Sequence, residues 1–217
     1  MIDVKEIRPL AAVKAAVQVP GSKSFTQRAL VAASLAEGTS LLRNALIAED
    51  TGHLVGALRL LGAQIVNSGP DVIVTGTGGR IANPGRELYL GSNGTAMRFL
   101  AGVAATGPGE ITLTGDARLC ERPLKPLLDA IGSLGVSSEC RNVPGYPPVT
   151  IRGGTMHGGR AVFQDIESSQ YVSSILLAAP YAAGDVEVEI RGSAVSRPYV
   201  EMTLATMKAF GVAVEKR

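Results

Sequence analysis

The apolar residues of this chain come in runs of small side chains, and three of these runs are opened by a short polar cluster rich in Gly and Ser. Gly21-Ser22-Lys23-Ser24 precedes Ala29, Leu30, Val31, Ala32, Ala33, Leu35 and Ala36, while Gly91-Ser92-Asn93-Gly94-Thr95 and Glu167-Ser168-Ser169-Gln170 open the other two. Apolar side chains almost all round a helical wheel mark a buried helix, and Ser or Asn at its start can cap the unpaired N–H groups there. The pattern predicts buried helices from Ser24 to Glu37, from Thr95 to Ala105 and from Ser168 to Ala183-Gly184. A second class is amphipathic. Leu54, Leu58 and Leu61 follow Glu49 and Asp50 at the N-cap; Leu124, Leu127, Leu128, Ile131 and Leu134 follow Pro123 at the first helical position; a third helix starts at Pro198 and reaches Phe210. Gly38, Gly62, Gly135 and Gly211 stand where helices stop.

Strands are predicted at Leu41-Leu42, Gln64–Val66, Val72–Val74, Glu110–Thr114, Val149–Ile151 and Val186–Ile190. Three more, Val17–Val19, Leu88–Leu90 and Val162–Gln164, precede the buried helices. In chain order these elements spell β-α-β-α-β-β, repeating with a period of about 70 to 76 residues. The units span roughly 20–86, 87–160 and 161–217, and the last stops short of its closing strand. The expected fold class is α/β. Parallel strands joined through helices cross over right-handedly, so three such units about a pseudo-threefold axis would gather the buried helices centrally, with their starts on one face.

That arrangement gives the polar clusters a shared chemistry. A helix start carries unpaired N–H groups and about half a positive charge, and Lys23, Arg28, Arg98 and Arg122 lie in or near the clusters. The chain reads as a binder of phosphate and carboxylate groups. A formal net charge of +2 is too balanced for a nucleic-acid surface, and 4 Phe, 5 Tyr and no Trp leave few rings for base or sugar stacking. Cys120 and Cys140 are isolated, and His53 and His157 stand far apart, so no metal site is expected. With no basic leader before an apolar stretch and no long apolar run, the expectation is a cytoplasmic protein with reduced thiols.

Pro20-Gly21-Ser22-Lys23-Ser24 with Arg28, Leu90-Gly91-Ser92-Asn93-Gly94-Thr95-Ala96-Met97-Arg98, Glu121-Arg122-Pro123, Ser168-Ser169-Gln170 and Ser196-Arg197-Pro198-Tyr199 closely resemble the 5-enolpyruvylshikimate-3-phosphate synthase family. The resemblance spans the chain but only the first half of that enzyme. It implies one of two domains that close like jaws, residues 20–217 binding shikimate 3-phosphate and residues 1–19 packing with the second domain. The family transfers the enolpyruvyl group of phosphoenolpyruvate to the 5-hydroxyl of shikimate 3-phosphate, releasing phosphate without metal or organic cofactor.

By the same resemblance, Lys23 touches both substrates and stabilises developing charge. Shikimate 3-phosphate is held by Lys23, Ser24, Arg28, Ser168, Ser169, Gln170, Ser196 and Tyr199, and phosphoenolpyruvate by Lys23, Gly94, Arg122 and Gln170. Asn93, Thr95 and Arg98 stand behind them. The sequence departs from the family where Ser92, Asn93 and Phe99 replace its usual Asn, Ala and Pro, and Asn93 is expected to crowd the phosphoenolpyruvate pocket and alter affinity for it or for glyphosate. Asp50 and Asp165 read as caps or turn residues, and the proton-transfer carboxylates are expected in the other half, so the chain alone is expected to bind without turnover. Three rival readings stay open. One is the sister transferase acting on UDP-N-acetylglucosamine, whose reactive Cys would match Cys120; another is a non-catalytic module for anionic ligands; the third is a purely structural repeat protein.

Overall fold

The computed structural model describes residues 4–192 and 196–216. Among the described residues it is an α/β structure in which three small sheets and seven α-helices share one hydrophobic core. The middle unit carries the full predicted order. Strand β4 (Leu88–Tyr89) leads into α3 (Gly94–Thr106) and then β5 (Glu110–Thr114), which pairs parallel to β4. Helix α5 (Lys125–Ser133) follows, and the antiparallel hairpin β6 (Ser137–Cys140) and β7 (Val149–Arg152) closes the sheet in the order β4-β5-β7-β6.

The first unit runs α1 (Lys23–Leu35), β1 (Thr39–Leu42), α2 (Glu49–Leu60), β2 (Gln64–Ser68) and β3 (Asp71–Thr75), with sheet order β1-β3-β2. The strand expected at Val17–Val19 does not form. Residues 4–20 contain no helix or strand, and Val17 and Val19 lie exposed with no strand beside them; residues 1–3 of the expected leading segment lie outside the described residues. In the third unit β8 (Gly159–Gln164) pairs parallel to β9 (Val186–Arg191) across α6 (Ser169–Ala178), and α7 (Arg197–Ala209) follows. Residues 212–216 form no strand.

Two predicted helix starts shift for reasons visible in the hydrogen bonds. Ala48, not Glu49 or Asp50, is the N-cap of α2, because the Thr51 hydroxyl accepts from the Ala48 N–H at 2.9 Å and leaves both acids in the first turn. Pro123 does not open α5. Its carbonyl is taken by Arg98 and Tyr171, and the Leu124 N–H donates to the Gly145 carbonyl at 2.8 Å, so helical bonding begins from Leu124. A one-turn helix, α4 (Ala117–Cys120), capped by Asp116, precedes it.

Helix α3 is buried along all but its two threonines, and α6 along all but Gln170. They lie close because Gly102 has no side chain. A Cβ there would fall 2.6 Å from the Ser174 carbonyl oxygen, while the Gly102 N–H donates to Ser174 Oγ at 3.2 Å and that hydroxyl donates to the Arg98 carbonyl. Helix α1 departs from the all-apolar expectation: it buries Thr26, Gln27, Arg28 and Ser34 and leaves Phe25 exposed. Of these, Gln27 and Arg28 turn towards the other helix starts, which makes them part of the site.

Candidate anion site at the helix starts

The starts of α1, α3, α6 and α7 meet around one half-open cleft of about 260 Å³, lined by Ser24, Arg28, Thr95, Glu167, Ser168, Ser169, Gln170, Ser196 and Tyr199. Direct side-chain bonds tie the starts together. Gln170 Nε2 donates to Thr95 Oγ1 at 3.0 Å, joining α6 to α3, and Asn93 Nδ2 donates to Gln27 Oε1 at 3.0 Å, joining α3 to α1. Arg28 joins α1 to α6 and α7 through Ser173 and Thr203. Three caps are side chains: Ser22 for α1, Asn93 for α3 and Ser168 for α6. Ser196, before α7, has a left-handed backbone (φ 40°) and no capping bond of its own. The hydroxyls of Ser24, Ser169 and Ser196 make no hydrogen bond among the described residues.

Arg28 is the most telling residue. It is 1% exposed, yet among the described residues no carboxylate lies within ion-pair distance of it. Its partners are neutral: Nε donates to Thr203 Oγ1 at 2.7 Å, Nη1 to the Ser24 carbonyl at 3.0 Å, and Nη2 to Ser173 Oγ at 3.2 Å and the Tyr199 carbonyl at 3.4 Å. The Phe99 and Tyr199 rings lie 5.1 and 5.7 Å from the guanidinium carbon. Burial lowers its pKa to about 10. These bonds use four of five N–H groups, leaving one Nη1 proton and a whole positive charge for a ligand.

Beside this cleft stand three more cations. Arg98, 4% exposed, donates through Nη1 to the Gly94 carbonyl at 3.0 Å and Gln170 Oε1 at 3.2 Å, and through Nη2 to the Pro123 carbonyl at 3.3 Å; its Nε has no partner among the described residues. Arg122 is exposed and, among the described residues, has no carboxylate at ion-pair distance; desolvation, then the charge of Arg98, lowers its pKa. Gly94 admits both guanidiniums, since a Cβ there would collide with Arg122 Nη1 and Arg98 Nη1. Lys23 is half exposed and ion-paired to Asp50.

The fold thus pairs Asp50 with Lys23, where the sequence suggested a cap or turn role for the acid. Asp165 is a turn residue with φ 44°. Asn93 is 2% exposed and is not among the residues lining the cleft; it accepts from the Thr95 and Ala96 N–H groups, and donates to Gln27 and to the Asp50 carbonyl. Cys120, in α4, lies outside the cleft and directs its thiol at the Gly115 carbonyl, 3.7 Å away. Sequence reasoning missed Thr203 and Ser173, which hold Arg28, and gave no role to Glu167 or to Tyr171. Among the described residues no cluster of three His, Cys, Asp or Glu side chains is placed to hold a metal, and no helix is long and apolar enough to cross a membrane.

Converging helix starts, uncommitted hydroxyls and guanidiniums without carboxylate partners give this α/β fold the chemistry that suits a multiply charged anion. A family model described as EPSP synthase (3-phosphoshikimate 1-carboxyvinyltransferase) matches residues 7–217, and the chain belongs to that family. The 3-phosphoshikimate 1-carboxyvinyltransferase of Actinobacillus pleuropneumoniae serotype 5b (strain L20) is 42% identical over 217 residues, covering 97% of this chain and 50% of that protein. Its counterpart from Methanothermobacter thermautotrophicus is 44% identical over 199 residues, covering 92% and 47%. An EPSP synthase structure from Acinetobacter baumannii superposes with a TM-score of 0.82 at 30% identity, over 93% of this chain and 44% of that one. The chain therefore spans about half the length of the curated relatives it matches.

Proposed function

We propose that the cleft binds shikimate 3-phosphate and that the adjoining wall of Lys23, Gly94 and Arg122 takes phosphoenolpyruvate. The reaction served is transfer of the enolpyruvyl group to the 5-hydroxyl of shikimate 3-phosphate with release of phosphate. The observation that carries this reading is Arg28, a buried cation held only by neutral oxygens at the meeting point of four helix starts. A buried charge with no counter-charge is costly, and an anionic ligand supplies what is missing. The remaining Nη1 proton of Arg28 would meet the substrate carboxylate. Ser24, Ser168, Ser169 and Ser196, with the N–H groups of α6, would cradle the phosphate, and Gln170 and Tyr199 would line the ring.

Arg122 would grip the second phosphate two-pronged, and Lys23 would neutralise charge at the departing phosphate in a partly desolvated setting. The carboxylates at hand are committed, Asp50 to Lys23 and Glu167 to the Tyr171 hydroxyl. Proton transfer at the enolpyruvyl carbon and the 5-hydroxyl is accordingly assigned to residues on the part of the relatives that this chain does not span. In this reading residues 20–217 form the substrate-binding domain, the leading segment through residue 19 packs with the second domain, and the reaction runs in the cytoplasm without a cofactor. Titrating the chain with shikimate 3-phosphate while following amide resonances tests it. Shifts are expected at Ser24, Arg28 and Ser169, with no turnover when phosphoenolpyruvate is added; unmoved resonances at millimolar ligand would remove the reading's foundation.

A further inference from the structure

Tyr171 is completely buried in α6 and spaced like a core residue, but its hydroxyl does more than fill space. It donates to the Pro123 carbonyl at 2.9 Å and faces Glu167 Oε1 at 2.6 Å, so one phenolic proton lies between two acceptors. Pro123 follows Arg122, and its carbonyl also accepts from Arg98 Nη2 at 3.3 Å. The Arg98 guanidinium carbon lies 5.2 Å from the centre of the Tyr171 ring, so phenol and guanidinium reach the same carbonyl as a stacked pair. The backbone around Arg122 has other ties: its own N–H donates to the Leu119 carbonyl at 3.1 Å, and the Leu124 N–H donates to Gly145. Neither of these connects the turn to the cleft. The Pro123 carbonyl does, through α3 and α6 together.

We propose that Tyr171 is a positioning residue: by holding the Pro123 carbonyl jointly with Arg98, it fixes the Glu121-Arg122-Pro123 turn so that the Arg122 guanidinium stays over Gly94, where a phosphate is to be gripped. The proposal rests on the functional reading above for the identity of that phosphate, and on geometry alone for the placement of Arg122. Glu167, at the mouth of the cleft and preceding Ser168, ties the same phenol to the cradle on α6. One hydroxyl thus joins the two walls of the anion site.

The test is Tyr171→Phe in the full chain, read by the relaxation order parameter of the Arg122 Nε–Hε group without ligand. The ring and its packing are kept, so unfolding should remain cooperative. The Arg122 order parameter should fall to that of Arg118, which is exposed on α4, and Tyr181→Phe, a partly buried tyrosine beside a different cavity, should leave it at the parental value. Arg98→Lys removes the second bond to the same carbonyl and should lower the Arg122 order parameter independently. In the ligand arm, with shikimate 3-phosphate present, Tyr171→Phe should weaken phosphoenolpyruvate about three- to tenfold, the worth of one hydrogen bond, and leave shikimate 3-phosphate affinity within twofold. An Arg122 order parameter unchanged in Tyr171→Phe overturns the proposal, whatever Arg98→Lys or the ligands do. Failure of the parent chain to bind shikimate 3-phosphate counts against the functional reading instead and leaves the order-parameter result to stand by itself.

Discussion

Replacing Arg28 with Met separates what this side chain does for the fold from what it does for a ligand. Met fills nearly the same space and removes the charge. Burial lowers the guanidinium pKa to about 10, a bias against the cation of roughly 3 kcal/mol. The unfolded chain holds that proton more tightly than the folded one, so the penalty applies in full below pH 10 and is relieved as pH rises beyond it towards the ordinary guanidinium value. The groups left behind are already paired with each other: Ser173 and Thr203 share a hydrogen bond at 2.8 Å, and Thr203 donates to the Tyr199 carbonyl at 3.0 Å. Arg28→Met should therefore be at least as stable as the parent in urea at neutral pH. Ligand binding should move the other way. Loss of a charge-assisted bond of about 1.5–3 kcal/mol weakens shikimate 3-phosphate roughly ten- to a hundredfold. At a ligand concentration that raises parental stability by about 2.7 kcal/mol, the variant should gain only about 0.4–1.4 kcal/mol. Calorimetric titration and urea unfolding, each with and without ligand, read both quantities. A variant destabilised by more than about 2 kcal/mol that binds as tightly as the parent would refute the reasoning, because Arg28 would then be a structural cation.

Gly94→Ala pushes against the tips of Arg122 and Arg98 without a backbone clash; unfolding should stay within about 1 kcal/mol of the parent, while calorimetry should show phosphoenolpyruvate binding weakened about tenfold or more, as for a lost charge-assisted grip. Gly102→Ala meets the Ser174 backbone, so despite the better helix propensity of Ala it should lower stability in urea by about 1–3 kcal/mol. Burial, reinforced by the Glu167 bond, pushes the Tyr171 hydroxyl up to about 12 from 10. The folded state retains that proton after the unfolded chain has lost it, so stability is full below pH 10 and falls by roughly 3 kcal/mol through pH 12; comparing Tyr171→Phe with the parent across that interval should show the slope vanish.

The helices that make the site were legible because each combines a polar start with a run of small apolar residues, a pattern that burial demands. Convergence of the starts followed from the repeat, and the bonds Gln170 to Thr95 and Asn93 to Gln27 realise it. Less visible were elements whose residues carry no periodic signal. Strand β6 reads Ser-Ser-Glu-Cys because it is an exposed sheet edge, and α4 is a single turn. Val17–Val19 has the β-branched composition of a strand, but a strand exists only where a neighbour accepts its hydrogen bonds. Long-range support was equally hidden. Ser173 and Thr203 lie 145 and 175 residues from Arg28, and nothing local to either marks it as a partner. Tyr171 has the spacing of a core residue, and only the fold shows where its oxygen lands.

The ties between helix starts also bear on what the proposed guest would cost the protein in ordering. Gln170, Asn93 and Arg28 are already locked into fixed rotamers by their neighbours, whereas loose side chains would each lose about 0.5–1.5 kcal/mol of freedom on capture. In the proposed reading, recognition on this face would be a matter of shedding water rather than of tightening protein, and the thermodynamic imprint of docking should be dominated by desolvation of the anion itself.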